Sequence, residues 1–171
     1  GADVIKAAVS GGVLSLTDEV DVPQFSADEM KALVDESHRL RKKVAVHCQG
    51  DTAAREAINA GVDSIEHGSF LKPDTLQLMK QKGTYLTPTL LASDWILPKI
   101  DQYPPAVQEK ARAAIAARTG MFQNALKAGV KISFGTDSGV FPHGQNAKAF
   151  VLMTGLGMKP IDALISATSA D

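Results

Sequence analysis

The sequence has one cysteine, Cys48, so no internal disulfide framework exists, although a lone thiol does not fix the compartment. An excess of charge of one sign is missing as well. The 18 lysines and arginines against 19 aspartates and glutamates leave a formal net charge of -1, with no basic arm or basic helix. Nucleic acid and anionic membrane surfaces therefore find no long-range attraction here. No apolar run approaches the roughly 20 residues of a membrane span, and Gly1-Ala2-Asp3-Val4-Ile5 is not a charged segment leading into a longer apolar one. The chain reads as soluble, with a cytoplasmic or a periplasmic home equally open.

What is present suffices for one globular domain with a substantial core: 171 residues, 44% hydrophobic and 22% charged. An apolar run from Val4 to Val9, interrupted by Lys6, stops at Ser10-Gly11-Gly12 and reads as a strand and its loop. Ser26-Ala27-Asp28-Glu29 is a Ser-x-x-Glu capping box, after which Met30, Leu33, Val34, Ser37 and Leu40 recur at helical spacing. The basic run Arg39, Arg41, Lys42, Lys43 suits the carbonyl end of that helix. Val44 to Cys48 is a second strand, with a helix from about Thr52 to Gly61. Val62 to Gly68 repeats the pattern, and Pro73 and Gly83 bracket the next helix. Thr84 to Leu90 reads as a fourth strand containing Pro88, and Trp95 to Pro105 as an irregular insertion. An alanine-rich helix, roughly Ala106 to Ala128, is long enough to act as a lid or a subunit contact. A fifth, short buried strand from Val130 ends on Asp137 before a glycine turn at Gly139, followed by a loop with His143 and helices from about Asn146 and from Pro160.

Strand and helix thus alternate through five strands, and near-continuous apolar strands argue a parallel sheet covered by helices. The junctions Asn59-Ala60-Gly61-Val62 and Lys127-Ala128-Gly129-Val130 form a weak internal repeat, as successive βα units do.

Chemically pointed residues lie at or near the strand ends: Lys6, His47, His67, Thr87 or Thr89, and Asp137. Taken singly, a histidine in an apolar strand is most often a hydrogen-bonded core residue. Together, two histidines twenty residues apart on successive strands can converge on one metal, to which Asp137 adds a hard oxygen. Asp137, at the end of a buried strand, is expected to be poorly solvated and in need of a partner. Lys6 allows three readings: an ion pair with a core carboxylate, a catalytic amine of lowered pKa, or, after addition of carbon dioxide to the neutral amine, a carbamate able to bridge two cations.

Four blocks in order resemble strands four, five, six and eight of the amidohydrolase superfamily. They are Val4 to Val13 around Lys6, Val44-Ala45-Val46-His47, Ile65-Glu66-His67-Gly68 and Phe134-Gly135-Thr136-Asp137-Ser138-Gly139. The likeness is closest to the imidazolonepropionase-like branch that includes prolidase-type Xaa-Pro and Xaa-Arg dipeptidases. The resemblance implies an α/β fold, the C-terminal portion of a metal-bearing (β/α)8 barrel comprising about five βα units. It implies two divalent cations, expected to be zinc, with Lys6 as the carboxylated bridging lysine. His47 and His67 would bind the second metal, and Asp137 would bind the first and shuttle the proton. His143, in Phe141-Pro142-His143-Gly144, is a candidate substrate contact.

The family's His-x-His pair has no counterpart: the histidines are 38, 47, 67 and 143. A full barrel runs to roughly 250 residues, so residues 1–171 are expected to be a single partial barrel lacking the first strands and the β-sandwich subdomain. His38 falls late in the capped helix and is expected to be a solvated helix residue. The implied reaction is hydrolysis of an amide in a small, dipeptide-like substrate, with Asp137 taking a proton from water and passing it to the leaving amine. Tyr85, Thr87, Thr89 and the segment around Trp95 are candidates for shaping the pocket. One alternative is a single-metal deaminase or ring hydrolase with Lys6 unmodified. Another is an inactive module that self-associates or pairs with a complementing barrel half, since open sheet edges invite association.

Overall fold

The computed structural model describes residues 1–169. Its sheet contains four parallel strands in sequential order: β1 (Val4–Ala8), β2 (Lys43–Cys48), β3 (Ser64–His67) and β4 (Tyr85–Thr87). The helices between them are α1 (Ala27–Arg39), α2 (Asp51–Ala60) and α3 (Pro73–Lys82). Helix α4 (Leu90–Ile96) leads through a 3-10 turn (Leu97–Gln102) into α5 (Pro105–Ala128), followed by α6 (Lys148–Gly155) and α7 (Pro160–Ser166).

Local chemistry sets these boundaries. Ser26 Oγ accepts from the Glu29 N–H while the Glu29 carboxylate accepts from the Ser26 N–H at 2.8 Å, so the capping box forms in full. Gly61, Gly83 and Gly129 end α2, α3 and α5 in the left-handed conformation, which explains the repeated Ala-Gly-Val junction. Asp63 ties one such junction to its neighbours. Its carboxylate accepts from Lys43 Nζ, the Val44 N–H and His38 Nε2, each at 2.8 Å. His38 is an exposed residue of the last turn of α1, as expected, and also contacts the Asp63 carboxylate.

One face of the sheet carries Val44, Val46, Cys48, Ile65 and Leu86, all fully buried against Met30, Ile58, Leu76 and Met79 of the covering helices. Every second residue points the other way, into the concave side, where burial is incomplete: Val4 is 49% exposed.

Two expectations fail in detail. The fifth strand is reduced to a single parallel bridge, Leu86 to Ile132. Leu86 N–H donates to Lys131 and Ser133 N–H donates to Leu86, but the Phe134 N–H turns away to the Ser166 carbonyl of α7. Pro88 has no N–H with which to prolong β4, so the ladder ends after three residues. The segment around Trp95 is helical, not irregular, because α4 begins immediately after Thr89.

Candidate active site

The carboxyl ends of the strands face a cavity of about 400 Å³. Lys6, His47, His67 and Asp137 all line it; His143 does not. His143 sits on the exposed loop beyond, its Nδ1 at 3.1 Å from Ser138 Oγ.

Strand register explains why these residues meet. Ala8 pairs with His47 and His47 pairs with Glu66, so Lys6, His47 and Glu66 project to the same concave side. His67 pairs with Cys48, a fully buried residue of the opposite face, and a regular strand would send its imidazole there too. Its backbone prevents that. His67 has φ 73°, a left-handed value, and its ring comes round to meet the His47 ring edge-on with centroids 4.6 Å apart. Thr89 (φ 44°) and Asp137 (φ 57°) share this conformation. Three non-glycine residues in a sparsely populated region around one cavity are a concentration of strain of the kind found at functional sites.

Burial, with His47 and Lys6 alongside, pushes the His67 pKa down to about 3, and its Nδ1 lies 2.7 Å from Thr89 Oγ1. Burial also lowers His47; the Gly11 backbone opposes this, the Lys6 charge adds to it, and Asp137 and Glu66 oppose it. Both imidazoles are consequently neutral at pH 7, with ring nitrogens available as ligands. His47 Nε2 is buried and has no hydrogen-bond partner among the described residues. Partial burial lowers Lys6 despite the raising effect of Glu66 and Asp137.

Lys6 and Asp137 differ from expectation in one respect. Both are exposed, because the concave side of the sheet is open in this chain. Among the described residues Lys6 joins no carboxylate in a close ion pair, so that reading of the lysine is not realised. Thr89 lines the cavity, whereas Tyr85 lies toward the opposite end of the sheet, beside Lys131. Thr87 instead donates to Glu66 Oε1 at 3.1 Å and lies 2.8 Å from Ser133 Oγ, forming a polar layer beneath the cavity floor. Trp95 lies outside the lining and stacks on Phe141 with centroids 6.0 Å apart.

Among the lining residues that sequence reasoning missed are Gln49, Glu66 and Arg118. Glu66 was readable from strand alternation with Ser64. Arg118 was not, since it comes from a helix whose packing the sequence does not specify. Cys48 contributes no chemistry; burial pushes its thiol up to about 12.

Whether these groups suit a metal ion follows from their donor chemistry. Two neutral, adjoining imidazoles, one with an orphaned nitrogen, suit a borderline cation such as zinc. Among the described residues, however, no three His, Cys, Asp or Glu side chains cluster closely enough to complete a site. Glu66 and Asp137 line the same cavity as carboxylates, and Lys6 would add an anionic ligand only as a carbamate.

Residues 1–170 match the family model described as "Amidohydrolase family". Ochratoxinase of Aspergillus niger is 36% identical over 99% of this chain, which spans 35% of that protein. A Xaa-Pro dipeptidase crystallised with methionine in its active site superposes with a TM-score of 0.93 at 42% identity, covering 98% of this chain and 42% of the other. A prolidase complexed with N-methylphosphonate-L-proline gives a TM-score of 0.88 at 30% identity, with 99% and 42% covered. The chain thus spans well under half the length of these relatives.

Proposed function

The chain belongs to the amidohydrolase family, and from that membership we propose that it supplies the second-metal and proton-handling half of a metal-dependent hydrolase of dipeptide-like amides. The observation that carries this reading is the meeting of His47 and His67 in a cavity also lined by Lys6 and Asp137.

His47 and His67 would hold a cation through neutral imidazole nitrogens, with no proton to release from either ring at pH 7. The contact between His67 Nδ1 and Thr89 Oγ1 leaves Nε2 as the free ligand atom. Lys6, lowered by burial, presents a neutral amine more often than a free lysine does. That nitrogen attacks carbon dioxide, a proton leaves, and the carbamate provides two anionic oxygens. A divalent cation held there would supply a water of lowered pKa and a Lewis acid for the scissile carbonyl. Asp137, exposed at the cavity surface, accepts a proton from water as general base and returns it to the departing amine as general acid. Zinc, the carbamate and the dipeptide substrate are all part of this proposal, and relatives named Xaa-Pro dipeptidase and prolidase support the substrate class.

The test is metal analysis with a dipeptide panel, on this chain and on a version extended through a His-x-His strand. Two metals per extended chain, lost when carbon dioxide is excluded, together with peptide hydrolysis, are expected. One metal indifferent to carbon dioxide would favour the single-metal ring hydrolase and remove the carbamate.

A further inference from the structure

The segment after β1 closes on itself. The Gly11 N–H donates to the Glu19 carbonyl at 3.2 Å, and a Cβ on Gly11 would lie 2.4 Å from that oxygen, so any side chain there would keep the two ends of the loop apart. Within this neck the loop is braced by Ser15. Its N–H donates to the Gly12 carbonyl at 3.1 Å, and its hydroxyl donates to the Asp18 carboxylate at 2.7 Å while accepting from the Asp18 N–H at 3.2 Å. A compact loop with joined ends and its own internal bonds can swing as one body.

Little ties that body to the rest of the chain. No residue from Gly12 to Asp18 is buried, and Leu14 and Leu16 are 41% and 66% exposed. Among the described residues, the hydrogen bonds that leave residues 12–18 come from one side chain, Lys110 of α5, whose Nζ donates to the Ser15 and Asp18 carbonyls at 2.6 and 2.8 Å. A segment with few buried contacts and a single anchor opens well before the fold does.

The loop also lies on the cavity. Gly12, Val13, Leu14 and Ser15 line it, as does Ala111 beside Lys110. A Cβ on Gly12 would lie 3.9 Å from His47 Nε2, so the first turn of the loop rests against the nitrogen that is buried and unpaired. Lys6 and Asp137 of the same cavity are exposed. The loop therefore shuts off the histidine corner and leaves the rest of the cavity open.

We propose that Gly11–Glu19 is a lid over His47 and that Lys110 is its latch, a positioning residue outside the metal-ligand set that controls how fast a divalent cation reaches the histidine pair. The part played in cation entry rests on the reading of His47 as a ligand; the lid itself does not.

Two measurements test it, each on the parent, Lys110→Met and Lys110→Arg. In native-state amide exchange, residues 12–18 of the parent should open locally, at a rate insensitive to low urea, while α2 opens only with the whole fold. Lys110→Met should speed exchange of residues 12–18 about tenfold or more, the factor carried by a charged hydrogen bond, with α1, α2 and α3 unchanged, and Lys110→Arg should restore most of the protection. In stopped-flow zinc binding, Lys110→Met should raise the association and dissociation rates by a similar factor of about five to ten and leave the affinity within about twofold, because a gate acts on both directions of passage. A merely structural role would lower the affinity instead. Urea-dependent exchange of residues 12–18 together with α2 in the parent, or unchanged zinc rates in a variant whose loop exchanges faster, would overturn the proposal. No zinc binding, with the exchange result as expected, would sink the metal-centre reading and leave the lid standing.

Discussion

Thr89 is the residue on which the geometry of the histidine pair depends most. A β-branched side chain at φ 44° is unfavourable, and it is retained in contact with His67 Nδ1 at 2.7 Å. Removing the hydroxyl in Thr89→Val should weaken zinc binding by about 10- to 100-fold, with Thr89→Ser recovering most of it, as titration calorimetry would read. Equal affinities in all three proteins would mean that Thr89 does not position the ring. Gly135 is constrained differently. A Cβ there would lie 2.3 Å from Thr87 Cγ2, so Gly135→Ala should cost about 1–3 kcal/mol in urea unfolding. Lys6, His47, His67 and Asp137 were legible in the sequence because polar residues ending apolar strands are conspicuous. The inward turn of His67 was not, since alternation alone sends it to the buried face beside Cys48.

At the scale of elements, the joint between α1, β2 and β3 rests on Asp63. Burial would raise its pKa, but hydrogen bonds from Lys43, His38 and the Val44 N–H outweigh that and hold it below the usual carboxylate value. A depressed carboxylate stabilises the fold above its unfolded pKa of about 3.9 and loses that contribution as pH falls through the folded value. Asp63→Asn should therefore be less stable than the parent at pH 7, and the gap should narrow below about pH 4. A constant gap from pH 7 to pH 3 would contradict the assignment. Arg118, joining α5 to α4, is worth about 1.5–3 kcal/mol as a charged hydrogen-bonding group, so Arg118→Leu should speed amide exchange selectively in Leu90–Ile96. Helices announced by caps, such as Ser26 to Glu29 and the glycine-ended α2 and α5, were readable from local chemistry. Helix α4 was not, because the β-branched run before it resembles strand until Thr89 turns. The fifth strand was over-read for a related reason: Val130 to Phe134 has strand composition, but the Phe134 N–H goes to α7.

For the whole molecule, the outer face of the sheet is a closed core while its concave side is open, and this difference organises everything else. Lys6 and Asp137 are exposed where the sequence suggested poorly solvated groups, because the concave side on which they lie is open. Among those residues no helix is long and apolar enough to cross a membrane. The reading of a metal-dependent amide hydrolase stands or falls with the histidine pair and Lys6. Its most direct test is zinc titration calorimetry of this chain in bicarbonate buffer, beside a His47→Ala, His67→Ala double variant whose fold is checked by circular dichroism. The account predicts one saturable zinc per chain, abolished in the folded double variant and weakened when bicarbonate is withdrawn. No saturable zinc, or binding that survives loss of both histidines, would contradict it.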